Sequence, residues 1–346
     1  MRGIRLFPRV KSMNRTWNEM GEILRKAQTI ALAGHVNPDG DCIGAINGLG
    51  FSLEALGKKV DRLCKEKPRH LAYIPGADKM IEVNPRKKYD VFVLLDLGDI
   101  PRMGEAVKAM ENSKFSLSFD HHQTNGRVCQ INSVMKDASS TCEILASFLK
   151  AEGFPIPKDA ATALYAGLIT DSNRFLYDTA RARAMRIGAD LIDLGADADL
   201  VYLKEYQAIE PSLFAFQGKV VSEAEFLQNG RVALANVTQS MLKEYAISMS
   251  EAESAVDVLR NLNQVEVAVL VKNMTDDLQK ISFRSKEFFD VSKIAQELGG
   301  GGHIKAAGAS IQGKNQEVYD QMRACFEGLP AESFFREDEK TDGNHS

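Results

Sequence analysis

Eight imidazole and carboxylate side chains stand where apolar segments of the first half of the chain end. His35 follows TIALAG and runs into Asn37-Pro38-Asp39-Gly40-Asp41. Asp96 closes VFVLL, Asp120-His121-His122 closes FSLSF, and Asp171 closes the helical pattern ALYAGLIT. Brought to one sheet edge without a counterion, such a cluster repels itself and carries a desolvation cost of several kcal/mol. Divalent cations remove that cost. Carboxylate and imidazole donors without thiolate suit manganese, iron, cobalt or zinc rather than a structural cysteine site. Six candidate ligands among them fit two ions better than one, with Asp96 able to bridge. Each residue also has a plainer reading. Pro38-Asp39-Gly40 is strong turn chemistry, Asp96 and Asp171 could cap, and His121-His122 could be an exposed polar pair. All of these readings would have to hold together at one sheet edge, and that conjunction is improbable.

The elements that must position these groups alternate. Thr29–His35, Lys59–Cys64, Val91–Asp96 and Phe115–Asp120 read as strands, and Asp41–Leu56 reads as a helix. Ser140 and Glu143 suggest a capping box before a helix that ends at Gly153. Strands alternating with helices predict an α/β fold with a mostly parallel, doubly wound sheet, whose sites gather at the carboxyl ends of strands. Polarity rises over residues 196–212, read as a linker. A second, smaller α/β segment follows. Arg231–Thr238, Glu266–Met274 and Gln279–Ser285 read as its strands, and Glu251–Leu262, Asp290–Leu298 and Asn315–Leu329 as its helices.

Two features of the second half suit an anionic substrate. Gly299, Gly300, Gly301 and Gly302 follow a helix, where one glycine would suffice as a cap. Consecutive glycine amides can form an anion-binding nest, and His303 adds a donor. A flexible interdomain loop is the alternative. Arg284 sits in the strand ISFRS, where it is either a solvent-facing charge or a guanidinium fork for phosphate. Lys286 and Lys305 are treated as solvated charges.

The set H-V-N-P-D-G-D at 35–41, Asp96, D-H-H at 120–122 and T-D at 170–171 resembles the four motifs of the DHH phosphoesterases. I-S-F-R-S at 281–285 and G-G-G-G-H at 299–303 resemble their DHH-associated domain. Together these cover roughly residues 25–330, and the chain is most similar to the nano-RNase/pAp-phosphatase branch. The resemblance implies a catalytic domain over 13–195, a linker over 196–212, a substrate domain over 213–335 across a cleft, and a disordered tail over 336–346. It implies one metal on His35, Asp39 and Asp96, and a second on Asp41, Asp96, His121 and Asp171, with manganese as the usual ion. Asp120 would orient a histidine or stabilise the strand end, and His122 would face the substrate phosphate. Arg284, Gly300, Gly301, Gly302 and His303 would hold the rest of the substrate. The implied activity is hydrolysis, by metal-activated water, of short single-stranded RNA or DNA oligonucleotides or of 3′-phosphoadenosine 5′-phosphate (pAp). Cyclic di-AMP or linear pApA phosphodiesterase is the nearest alternative. Further off are an inorganic pyrophosphatase and an inactive nucleotide-binding module. Relatives of this kind are often homodimers, and no interface pattern in the sequence decides it. Two departures from the family pattern are Ala45, where serine is usual, and Asn173, where glycine is frequent. Asn tolerates the left-handed conformation, so that loop can be preserved.

Length and charge fit this reading. The 346 residues suggest two domains, and 43 basic against 47 acidic residues give a net charge of −4. That balance argues against long, non-specific duplex binding, which needs a basic face. Five cysteines without C-x-x-C pairing read as a reducing, cytoplasmic setting. No apolar run is long enough to span a membrane, and residues 1–12 read as a loose extension.

Overall fold

A computed structural model describes residues 8–65, 67–98, 100–122, 125–176 and 181–335. The expected tail 336–346 lies outside them. The chain divides into two units, residues 1–208 and 209–346. The stretch read as a linker contains a helix, Ala198–Tyr206, that buries Val201.

The first unit runs α1 (Pro8–Lys26), β1 (Thr29–Ala33), α2 (Gly40–Glu54), β2 (Lys59–Leu63), β3 (Met80–Ile81), β4 (Tyr89–Leu95), α3 (Ala106–Glu111), β5 (Ser113–Asp120), β6 (Ile131–Val134), α4 (Thr141–Ala151), α5 (Lys158–Asp171), α6 (Arg181–Asp193) and α7 (Ala198–Tyr206). Its sheet has the order β3-β2-β1-β4-β5-β6, and every pairing in it is parallel. Alternate residues feed the two faces. Ile30, Leu32, Val91, Val93 and Leu95 join the large core with α1, α2, α4 and α5. Ala31, Ala33, Phe92 and Leu94 join a smaller core with α3. Helix α1 starts inside the stretch read as a loose extension, and the Trp17 Nε1 donates to Ser133 Oγ at 2.8 Å, tying it to β6.

Helices α2 and α5 lie close. A Cβ at Gly44 would come 2.5 Å from the Ala163 carbonyl oxygen, so only glycine permits this approach. The proximity matters because α2 carries Asp41 and α5 carries Asp171.

Arg62 of β2 is 2 % exposed. Its Nη1 donates to Glu54 Oε1 at 2.6 Å, and its guanidinium lies over the Phe51 ring. Hydrogen bonding to Arg62 holds the Glu54 carboxyl below its ordinary range. A carboxylate with a depressed pKa stabilises the fold above its unfolded pKa, and that contribution fades as pH falls. Glu54→Gln should therefore cost about 1–3 kcal/mol at neutral pH. In urea titrations its difference from the parent should shrink as pH drops through the carboxylate range.

The second unit runs α8 (Pro211–Glu223), β7 (Glu225–Leu227), β8 (Val232–Val237), α9 (Gln239–Tyr245), α10 (Met249–Ala252), α11 (Ser254–Arg260), β9 (Val267–Thr275), β10 (Leu278–Ser285), α12 (Val291–Glu297), β11 (Gly301–His303), β12 (Ala306–Gln312) and α13 (Asn315–Glu327). Its sheet, β11-β12-β10-β9-β8-β7, is mixed: β8 and β9 are parallel and the other pairs antiparallel. One face packs on α12 and α13 around Phe283 and Phe326. The other packs on α8 and α11 around Phe216 and Leu259. The structure is thus α/β, with a six-stranded parallel doubly wound sheet in the first unit and a six-stranded mixed sheet in the smaller second unit.

Candidate metal centre

The strand order reverses between β1 and β4, and the crevice outside their carboxyl ends is where sheets of this type place sites. His35 lies two residues beyond β1, and Asp96 lies directly after β4. Asp120 ends β5, followed by His121 and His122. Asp39 and Asp41 flank the start of α2, and Asp171 is the last residue of α5.

Asp96 is the centre of the cluster. It is 2 % exposed and takes a left-handed backbone, φ +59°. That conformation costs a non-glycine residue about 1–3 kcal/mol and persists only where the surroundings impose it. Its two oxygens face different histidines. Oδ2 lies 3.6 Å from His35 Nε2, and Oδ1 lies 3.5 Å from His121 Nε2. His35 Nε2 also faces Asp39 Oδ1 at 3.8 Å, and His121 Nε2 faces Asp171 Oδ2 at 3.3 Å. Both rings turn their other nitrogen to a carbonyl: His35 Nδ1 to Val36 at 2.9 Å, and His121 Nδ1 to Ala138 at 3.4 Å. A backbone partner on Nδ1 fixes the tautomer and aims Nε2 as a ligand. Three ligand sets emerge: His35/Cys42/Asp96, Asp96/His121/His122 and Asp41/His121/Asp171.

Asp41 is buried, and its carboxylate accepts from the Thr141 and Cys142 amides at 2.7 and 2.9 Å, at the N-terminus of α4. Asp39 does two things at once. It caps α2 by accepting from the Cys42 amide, and it faces His35. The turn and ligand readings of that residue are therefore compatible.

Charge shows why a cation fits. Burial, with Asp96 and Asp171 nearby, pushes the Asp41 carboxyl well up. Burial also pushes Asp171 to about 7. Burial opposes ionisation of Asp96, but the His121 and His35 rings override it and hold that carboxyl low. Burial likewise opposes charge on His35, yet Asp39 and Asp96 raise it to about 10. The protein alone thus balances its carboxylates by taking up protons. A divalent ion would replace those protons with a charge the same oxygens and Nε2 atoms can coordinate.

Asp120 is fully buried and stands back from this set. Its Oδ1 accepts from His122 Nδ1 at 2.7 Å, and its Oδ2 accepts from Asn125 Nδ2 at 2.6 Å. That hydrogen bond raises the His122 pKa. His122 Nδ1 lies 3.7 Å from Asp96.

Residues around the centre that the sequence reading passed over include Thr141, whose Oγ1 donates to Asp96 Oδ1 at 2.9 Å. Its position just after the predicted N-cap Ser140 was the available signal. The capping box itself is half formed. Ser140 Oγ accepts from the Glu143 amide, but the Glu143 carboxylate turns to Ser139 and Arg183. Thr141→Val keeps the shape and the amide to Asp41 while deleting the hydroxyl. It should lower kcat about ten-fold, the equivalent of one hydrogen bond of about 1.4 kcal/mol, with KM little changed. Asn173 adopts φ +46°, the left-handed conformation anticipated for it.

In the second unit, the glycine run is more ordered than an anion nest or a flexible loop. Gly299 (φ +77°) and Gly300 end α12, their amides returning to the Gln296 and Ala295 carbonyls, as in a Schellman cap. Gly301–His303 then form the edge strand β11 against β12. A Cβ at Gly300 or Gly302 would come 2.1 or 2.5 Å from a backbone oxygen of β12, whereas one at Gly301 would meet nothing within 4 Å. The left-handed cap accounts for Gly299 and close packing for Gly300 and Gly302, which leaves Gly301 on the open side. Arg284, on β10, is held by acidic groups. Its Nη2 donates to Glu253 at 3.3 Å, and its Nε lies 3.7 Å from Asp257. Glu253 also pairs with buried Lys272 and accepts from Ser282 Oγ at 3.0 Å. Nothing in the sequence pattern pointed to Glu253, which sits between two short helices.

Residues 29–168 match the DHH family, N-terminal domain, and residues 229–328 match the DHHA1 domain. A bifunctional oligoribonuclease and PAP phosphatase NrnA from Thermus thermophilus is 28 % identical over 315 residues, covering 89 % of this chain and 93 % of that protein. An exopolyphosphatase-related protein from Bacteroides fragilis superposes with a TM-score of 0.84 at 25 % identity, over 90 % of this chain and 96 % of that one. RecJ from Thermus thermophilus, in complex with Mn2+, shares the fold at a TM-score of 0.54 and 15 % identity, over 95 % of this chain and 56 % of that one. With both family domains in order and the motif residues gathered around Asp96, the chain belongs to the DHH family of phosphoester hydrolases, in its NrnA-like branch.

Proposed function

We propose that this protein hydrolyses short oligonucleotides, pAp, or both, using two divalent metal ions, with manganese the expected ion. The observation that carries the reading is Asp96, whose two oxygens face His35 on one side and His121 on the other. His35, Asp39 and Asp96 would hold one ion; Asp41, Asp96, His121 and Asp171 would hold the second. Bound there, the ions would polarise the phosphoester and make water acidic enough to attack at neutral pH.

The chain's own groups do the rest. Asp120 fixes the His122 ring and favours its protonated form, placing positive charge beside the cluster for a phosphate oxygen. Thr141 and the first amides of α4 hold Asp96 and Asp41 in position. Arg284, Gly300, Gly301, Gly302 and His303 are proposed to bind substrate phosphate, with residues 13–195 as the catalytic domain and 213–335 as the substrate domain. No helix among the described residues is long and apolar enough to cross a membrane. A cytoplasmic setting and a homodimer are part of the same proposal.

The test is a panel of kcat/KM values in manganese on pAp, two- to five-nucleotide RNAs, and linear and cyclic di-adenylate. The expected result is highest efficiency on the short RNAs or pAp. A maximum on cyclic di-adenylate, or activity on none of them, would overturn it.

A further inference from the structure

Beside the metal centre the first unit has a cavity of about 510 Å³ that the cluster does not use. It follows from the topology. After β1 the chain turns through residues 34–38, and the Val36 amide is tied to the Arg102 carbonyl at 2.8 Å. The ends of β2 and β3 lie on the far side, so a crevice stays open beyond the carboxyl ends of β1, β2 and β3. Leu63, Cys64, Val83 and Met103 contribute apolar walls, and Lys65 and Glu82 stand at the exposed rim. His35 lines the cavity too, while its Nε2 faces Asp39 and Asp96. His35 is thus common to the cavity and the cluster.

We infer that this cavity holds the nucleoside of the nucleotide whose phosphate lies at the metal centre, an inference that rests on the function proposed above. Its volume falls in the range of small-ligand sites, about 300–1,000 Å³, and exceeds what a bare phosphate needs. Its walls suit a flat, polarisable ring: branched aliphatics for the faces, and the Met103 thioether, which makes favourable contacts with aromatic edges. Its rim has the groups that a base and sugar present partners for. Glu82 is an acceptor for amino, imino and hydroxyl hydrogens, and Lys65 is a donor for carbonyl oxygens. A binder of phosphate alone would gain nothing from the apolar walls and would be opposed by the carboxylate.

Calorimetric titration of the manganese-loaded, full-length protein tests this without requiring turnover. Guanosine monophosphate should bind at least ten-fold more tightly than methyl phosphate, and Val83→Trp, which fills the cavity, should bring the two together. On the unmodified protein, guanosine monophosphate should slow alkylation of half-buried Cys64 while leaving Cys325, in the other unit, unaffected. This second measurement holds even if Val83→Trp does not fold. Equal affinity for the two phosphates, a folded Val83→Trp protein with parental nucleotide affinity, or an unprotected Cys64 would each overturn the inference. Failure of the function itself appears separately, as absence of phosphoester hydrolysis by the parent protein.

Discussion

Asp96→Asn abolishes metal-dependent hydrolysis, lowering kcat by roughly 10³-fold or more, as loss of a central charge-stabilising group does in other active sites. The substitution keeps the side-chain shape and the amide oxygen that can accept from Thr141. It removes the one negative charge that both histidines share. Stability tells a merely structural role from a metal-holding one. In the metal-free protein the His121 and His35 rings hold Asp96 ionised, so deleting its charge should lower the melting temperature. Manganese should raise the melting temperature of the parent, because a ligand that binds only the folded state stabilises it by mass action. That increment should vanish in the variant. Retention of both the increment and the turnover would remove Asp96 from the centre.

Arg284→Ala raises KM on a dinucleotide by about 10- to 100-fold, since a hydrogen bond to a charged group contributes about 1.5–3 kcal/mol. Its present partners refine the expectation. Arg284 is not idle in this structure; Glu253 and Asp257 hold its guanidinium. Deleting it leaves Glu253 still paired with Lys272, so the fold should tolerate the change. Arg284→Lys should recover little, because an ammonium cannot reproduce the planar fork. An unchanged KM in both variants would leave Arg284 a structural partner of α10 and α11.

The residues just discussed also show what the sequence makes legible. The buried parallel strands were readable because VFVLL is a continuous apolar run and FSLSF alternates apolar residues with serine, and their polar endings mark the sheet edge. That these carboxylates and imidazoles come together was readable because they recur at those endings, where the plainer use of each would have to hold for all at once. The short strands β3, β6, β7 and β11 were not readable. Two to four residues, such as MI, GGH or EFL, carry no periodicity, and only pairing to a neighbour makes them strands. β12, AAGASIQ, has the low strand propensity of alanine and glycine, and is held by β10 and β11 on its two sides. The single helix expected over Glu251–Leu262 is two pieces that meet at Glu253, and that break places the carboxylate against Arg284. The glycine run has structural uses that its sequence does not display. Four glycines looked like more than a cap requires, yet two complete the cap and a third lets β11 approach β12. Such close approaches depend on chain segments far apart in sequence, which local patterns do not record.

The central claim is that the cluster around Asp96 is a divalent-metal phosphoesterase site. The most direct measurement is release of mononucleotide from a two-nucleotide RNA by the purified full-length chain, first stripped with EDTA and then given manganese. The account predicts no release after stripping and full release on reconstitution. Undiminished hydrolysis by the stripped protein, or none after manganese is restored, would contradict it.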